Sequence, residues 1–324
     1  MPIRSHKIPK AYLKRFATEP KKQKFGKLCV YERGKRPRTG TPNSEAAERG
    51  FFTSRSQNGT LEDSPAEAWA QAIEDCALDT LIHAPSPMFV WTRENRRRMA
   101  EYWALMFLRS TSFFDFHKSG AESTFRRQMT RLNTDMEFRH KIVSYYSFLM
   151  GRLIKEEELL GSVSRAVESL LTAEGLRHEY VQQLKRRVDL FSTIFLNKPW
   201  QIWTTPSDDN FVTCDSPVMS FRLDEWGRYF VGDGLGKESS IVLLPLSPEA
   251  CLLAGLQGPQ SRHIPKSDVR EVNKIIVSSS ARFVYSRTED LAVNRLVQSH
   301  AGTIRYGINA FTPDKTDSLD DLFF

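Results

Sequence analysis

Between about residues 61 and 198 the apolar positions of this chain recur at helical spacing, and after Pro199 they gather into short runs bounded by turn residues. The first stretch therefore reads as helices and the second as strands. Ser64-Pro65-Ala66-Glu67 combines an N-cap serine, a proline at the first helical position and the glutamate of a capping box, which predicts a helix to about His83. Thr92 caps a second helix, in which Met99, Trp103, Met106, Phe107 and Phe113 or Phe114 return near one face as a core-facing aromatic stripe. Further helical segments are expected at about 121–158, 163–173 and 176–196, the last with Leu176, Tyr180, Leu184, Val188, Phe191 and Phe195 on one side.

The runs that follow are 200–203, 211–213, 218–221, 241–244 and 251–254, each of strand length. Asp268 is the expected cap of a helix to about Ser280, and Phe283-Val-Tyr285 reads as a closing strand. Near the N-terminus Leu28-Cys-Val-Tyr31 reads as a short strand, with Gly34, Pro37, Gly40 and Pro42 marking turns before Phe51-Phe52-Thr53. The whole predicts an α+β fold, a helical bundle packed against a mainly antiparallel sheet, with a basic N-terminal arm and a small β cap. The expected divisions are arm and cap at 1–60, bundle at 61–198, a sheet region at 199–311 that packs with the arm as one compact unit, and a flexible tail at 312–324.

Charge adds what periodicity cannot. The first 38 residues hold thirteen Lys and Arg against Glu19 and Glu32, a local excess of +11 in a chain whose net charge is +7, so the remainder is slightly acidic at −4. A clustered cationic surface attracts a polyanion through counterion release, and a scattered one does so much less. Ile8, Tyr12, Leu13 and Phe16 are interleaved with these cations, which is the pattern of an ordered arm with buried anchors rather than of a solvated tail. Lys7, Lys10, Lys14, Arg15 and, farther on, Arg109 are the candidate phosphate contacts. Arg109 has a plainer alternative, capping the last carbonyls of the aromatic helix.

At 324 residues with 40% apolar content the chain can bury a substantial core, and no stretch reaches the roughly 20 apolar residues of a membrane helix. Cys29, Cys76, Cys214 and Cys251 are far apart, without a Cys-x-x-Cys pair, which excludes the common zinc spacing and argues against a disulfide framework. With no apolar leader after Met1, a cytoplasmic location is expected. There is no Gly-x-Ser-x-Gly, His-Glu-x-x-His or Walker A sequence. Gly232-Asp-Gly-Leu-Gly236 imitates a phosphate loop but precedes a strand, so a hairpin turn is expected there.

Two groups could carry chemistry. His6 sits inside the basic arm, where neighbouring cations favour the neutral imidazole that a general base requires; its alternative is a structural histidine at a turn. In Thr213-Cys-Asp-Ser-Pro-Val218 a strand ends at Asp215, whose carboxylate could face a cleft and orient His6 or hold a divalent cation such as Mg2+. The alternative is an Asx turn in which Asp215 bonds backbone amides.

These residues also carry a resemblance. Ser5-His-Lys-Ile-Pro-Lys-Ala-Tyr-Leu-Lys-Arg-Phe16 resembles the Gln-His-x-(Val/Ile)-Pro-x-x-Tyr-Leu-x-x-Phe opening of the bacterial family called domain of unknown function 4238. Glu74, Arg109, Phe211-Val-Thr-Cys-Asp-Ser-Pro-Val218 and Leu244-Pro-Leu-Ser-Pro248 follow in that family's order, with Ser5 in place of its Gln and Cys214 in place of its Ser. The resemblance implies a shared architecture and a shared site that retains His6 and Asp215, without naming a reaction. The functional expectation is an enzyme acting on nucleic acid or a nucleotide, a nuclease or other phosphate-ester hydrolase with a bacterial antiviral-defence role. In it the arm binds phosphates, His6 is the catalytic acid or base, and Asp215 orients it or binds metal. The competing expectation is a non-catalytic DNA- or RNA-binding or sensing protein in which the same residues pin the arm to the sheet.

Overall fold

The computed structural model of the chain describes residues 4–19, 26–45, 47–49, 53–55, 61–63, 65–205, 209–226, 229–231 and 235–303. In chain order these form β1 (Arg4–His6), α1 (Lys10–Lys14), β2 (Leu28–Glu32), β3 (Arg38–Gly40), β4 (Ala47–Arg49), β5 (Thr53–Arg55), β6 (Leu61–Asp63), α2 (Pro65–His83) and α3 (Arg93–Leu108). The helices α4 (Thr111–Thr134), α5 (Met136–Met150), α6 (Glu156–Leu170) and α7 (Ala173–Leu196) follow. The remainder is β7 (Trp200–Thr204), β8 (Thr213–Cys214), β9 (Met219–Leu223), β10 (Tyr229–Val231), β11 (Ile241–Ser247), β12 (Ala250–Ala254), β13 (Ser261–His263), α8 (Lys266–Ser279), β14 (Phe283–Ser286) and α9 (Leu291–His300). The fold is α+β. No helix among the described residues is long and apolar enough to cross a membrane.

The chain divides into two compact units, Met1–Phe114 with Leu184–Phe324, and Asp115–Gln183. The boundary thus falls within α4 and α7, and α2 and α3 share a unit with the sheets.

That larger unit holds a six-stranded sheet of order β10-β9-β11-β12-β7-β13, antiparallel except where β13 joins β7. A four-stranded antiparallel sheet has the order β3-β2-β14-β8, so β2 and β3, from the region expected as an N-terminal cap, are built into one sheet with strands from the C-terminal half, while β1 pairs with β4 and β5 with β6. Tyr31, Trp203, Phe211, Leu243, Ile276, Val284 and Val297 belong to one core that joins both sheets to α8 and α9. β11 and β12 are buried at every position, which is why they read as unbroken apolar runs rather than alternating ones. Gly255, just past β12, has φ +113°, and a Cβ there would stand 2.4 Å from the Ser240 carbonyl oxygen, so the turn requires glycine.

Thr92 caps α3 as expected, its hydroxyl accepting from Asn95 N–H. That helix ends at Leu108 rather than continuing to Phe114, because Ser110 starts α4 by accepting from Phe113 N–H. The start of α8 also differs: Pro265 precedes the first residue and Asp268 lies in the first turn, where its charge complements the helix N-terminus. Residues 232–234 of the glycine-rich stretch expected as a hairpin turn lie outside the described residues, as does the expected Ser64 cap.

In the smaller unit the helix expected at 121–158 is two helices. Asp135 caps α5 by accepting from Phe138 N–H, and Gly151 closes it with φ +62°. Arg131 lies over the Phe138 ring at 4.2 Å, and Arg139 pairs with Glu156 of α6. His117 and Glu179 meet at 3.0 Å.

Candidate functional site

The arm folds because its apolar residues recur on one face of a single helical turn. Ile8, Tyr12, Leu13 and Phe16 are all buried, and Tyr12 and Phe16 pack ring against ring at 5.4 Å. Of the basic residues among them, Lys14 is exposed and Lys7, Lys10 and Arg15 are half-buried. Lys10 and Lys14, four residues apart, share one side of α1.

Two polar contacts pin this turn to the ends of strands. The Tyr12 and Thr213 hydroxyls share a buried hydrogen bond of 2.7 Å, and Arg15 donates from Nε to the Leu246 carbonyl at 2.6 Å. Burial pushes the Tyr12 phenol well up from its usual value, and burial lowers the Arg15 guanidinium from its usual value. Lys7 donates to the Thr111 hydroxyl at 3.5 Å, at the first residue of α4.

Asp215 does not face an open cleft. It is 7% exposed, and its carboxylate closes the turn between α8 and β14: Oδ1 accepts from Ala281 N–H at 2.8 Å, and Oδ2 accepts from Arg282 N–H at 2.8 Å and Phe283 N–H at 3.0 Å. Burial pushes its carboxyl up to about 6, against the pull of those three backbone donors. The next residue, Ser216, shares a 2.7 Å hydrogen bond with Ser112 and accepts from Ser112 N–H, so the Asp-Ser pair ties the β14 turn to the start of α4. Among the described residues no three His, Cys, Asp or Glu side chains gather in a way that would hold a metal ion.

Arg109 is the C-cap residue of α3, but its guanidinium leaves the helix end and pairs with Glu74 of α2. The pair is nearly out of solvent, with 2% and 12% of the side chains exposed, which removes Arg109 from the surface a polymer could touch. Burial raises the Glu74 carboxyl from its usual value, with Arg109 opposing. His6 lies on β1 in register with Ala47, and its side chain lies outside the described residues.

The structure therefore brings Tyr12, Arg15, Thr213 and Leu246 together, and separately joins Glu74 to Arg109 and Asp215 to the 281–283 backbone. Sequence reasoning missed Tyr102, a fully buried phenol of α3, and Thr213 as the partner of Tyr12. The available signal for Tyr102 was a hydroxyl inside an otherwise apolar stripe, two helical turns from Arg109.

The arm, Glu74, Arg109 and the 211–218 and 244–248 segments in these contacts are motifs noted above, and the correspondence extends along the chain. The family model described as Protein of unknown function (DUF4238) matches residues 4–290, and the chain belongs to that family. No curated protein and no solved structure matches it significantly.

Proposed function

We propose that this protein binds nucleic acid or a nucleotide through phosphate contacts made by the basic arm, with Lys10 and Lys14 at the centre of the contact. The observation that supports this reading is the anchoring of α1. Tyr12, Leu13 and Phe16 are buried and Tyr12 and Arg15 are bonded to the strand ends, so the lysines are presented from a fixed turn rather than from a mobile tail. Fixed cations lose less conformational freedom on meeting a phosphate than cations on a disordered segment do. The site's carboxylates are engaged within the protein, Asp215 by three backbone donors and Glu74 by Arg109, which favours binding without hydrolysis. A nuclease or phosphate-ester hydrolase would use the same arm with His6 as its acid or base.

The test is incubation of the wild-type chain and folded His6→Ala with RNA, single-stranded DNA and duplex DNA, in Mg2+, Mn2+ or EDTA. Retention of at least one nucleic acid without cleavage in any condition is the expected result. Cleavage by the wild-type chain that is lost in His6→Ala would replace this reading with the hydrolase.

A further inference from the structure

The turn between β2 and β3 carries Arg33, Lys35, Arg36 and Arg38, four cations in six residues, and all four are exposed. α9 holds this turn in place. Gln298 accepts from Gly34 N–H at 2.8 Å and donates to the Lys35 carbonyl at 3.2 Å, and Arg33 donates to the Ala301 carbonyl at 3.2 Å. Exposed Arg282, the residue before β14, joins the cluster. Lys35 and Arg282 share one oxygen of Glu32, at 2.9 and 3.0 Å, while Arg38 and Arg282 lie over the Phe283 ring, 5.7 and 4.7 Å from its centre. The carboxylates in this cluster are Glu32 and Glu45, the latter bidentate with Arg38 at 2.8 Å. Five cations against two carboxylates leave +3 on one patch of a chain whose net charge is +7. Such a patch attracts an anion, and four of its five cations are arginines, whose planar forks fit the paired oxygens of a phosphate.

The sheet register relates this patch to α1. Arg38 of β3, Val30 of β2, Tyr285 of β14 and Thr213 of β8 oppose one another in one row, so their side chains share a face. Tyr12 of α1 bonds Thr213 on that face at one edge of the sheet, and Arg38 stands at the other edge. Three inter-strand steps of about 4.8 Å set the two edges about 14 Å apart. The opposite face belongs to the core that Tyr31, Cys214 and Val284 share with α8. A lone phosphate group cannot reach across ~14 Å, whereas one strand of B-form DNA, with a charge about every 3.4 Å, covers it with on the order of four charges.

We propose that the β2–β3 turn with Arg282 is a second phosphate contact, and that together with Lys10 and Lys14 it selects a nucleic-acid strand rather than a mononucleotide. The proposal rests on phosphate binding by the arm and adds the far end of the ligand. Because α9 already holds the turn, its cations meet the strand with little further ordering of the backbone.

The experiment is fluorescence anisotropy of labelled single-stranded RNA, single-stranded DNA and duplex DNA across a salt series, each about 20 nucleotides long and so several times the span. The full chain is compared with Lys35→Gln/Arg36→Gln, Lys10→Gln/Lys14→Gln and Arg270→Gln/Lys274→Gln, each confirmed as folded by its Tm. Arg270 and Lys274 are exposed on α8, which packs on the opposite face, so their variant removes the same charge from elsewhere. The expected result is a slope of log K against log salt that is shallower by about 1.4–1.8 in Lys35→Gln/Arg36→Gln and unchanged in the α8 variant. Adenosine monophosphate should displace the labelled strand only at concentrations about 100-fold or more above those of the unlabelled strand, since it fills one contact at a time. An unchanged slope in Lys35→Gln/Arg36→Gln beside a shallower one in Lys10→Gln/Lys14→Gln would overturn this proposal and leave the arm's contact standing. An unchanged slope in Lys10→Gln/Lys14→Gln, or no salt-dependent binding by the wild type, would remove the arm's contact and this proposal with it. Equal loss in the α8 variant, or displacement by the mononucleotide as readily as by the strand, would also overturn it.

Discussion

Replacing Asp215 with alanine separates a residue that shapes the protein from one that reacts. In the structure its carboxylate accepts from the N–H groups of Ala281, Arg282 and Phe283, while its own N–H donates to the Phe283 carbonyl. Alanine keeps that last bond and removes the other three. Hydrogen bonds to a charged acceptor are each worth about 1.5–3 kcal/mol. Ala281 and Arg282 are exposed, so water can take over part of their loss, and the half-buried Phe283 N–H retains more of its penalty. The net expectation is a destabilisation of about 3 kcal/mol, a drop of roughly 6–12 °C in Tm at 2–4 °C per kcal/mol. The assay is urea and thermal denaturation followed by circular dichroism, with nucleic-acid binding measured per folded molecule. The account predicts the stability loss with binding preserved in the folded fraction. An Asp215→Ala protein as stable as the wild type would refute the reasoning, since three backbone donors would then have lost their acceptor without consequence.

Three further outcomes follow from the same contacts. Because burial lifts the Asp215 carboxyl to about 6, the stability tied to its protonated form is fully present below the unfolded value near 4 and is lost as pH rises through about 6, a change of about 3 kcal/mol. The wild-type minus Asp215→Asn stability difference, measured by urea denaturation from pH 4 to 8, should fall over that window; a flat or rising difference would contradict it. Glu74→Gln withdraws the negative charge beside buried Arg109 and should cost about 3 kcal/mol, read as a lower urea midpoint with unchanged slope. Gly255→Ala must place a methyl at φ +113° against the Ser240 carbonyl, and should cost about 1–3 kcal/mol in the same assay.

Much of this architecture is legible in the sequence where the signal is local. The Thr92 cap, the 65–83 helix and the apolar runs at 200–203, 241–244 and 251–254 all carry their cause within a few residues. The break at Asp135 was missed because Leu132, Phe138 and Ile142 keep apolar positions recurring across it, although Asp135 is itself a good cap residue. Asp215 shows where locality ends. The alternative of a carboxylate bonded to backbone amides was visible, but its partners lie 66 to 68 residues away, and no turn rule encodes them. The same holds for the pairing of β2 with β14, which ties an N-terminal strand to one that closes the chain's last sheet. Of the candidate site, the interleaved apolar and basic residues of α1 foretold an anchored arm. That the Tyr102 hydroxyl has no partner among the described residues becomes visible only when its neighbours are in place.

The central claim is that the anchored arm contacts phosphates through Lys10 and Lys14. Its most direct test is fluorescence anisotropy of labelled single-stranded RNA, single-stranded DNA and duplex DNA across a salt series, for the wild-type chain and for folded Lys10→Gln/Lys14→Gln. The account predicts salt-dependent binding whose slope of log K against log salt becomes shallower by about 1.4–1.8 when two phosphate contacts are removed. Absence of salt-dependent binding in the wild type, or the same slope in both proteins, would contradict it.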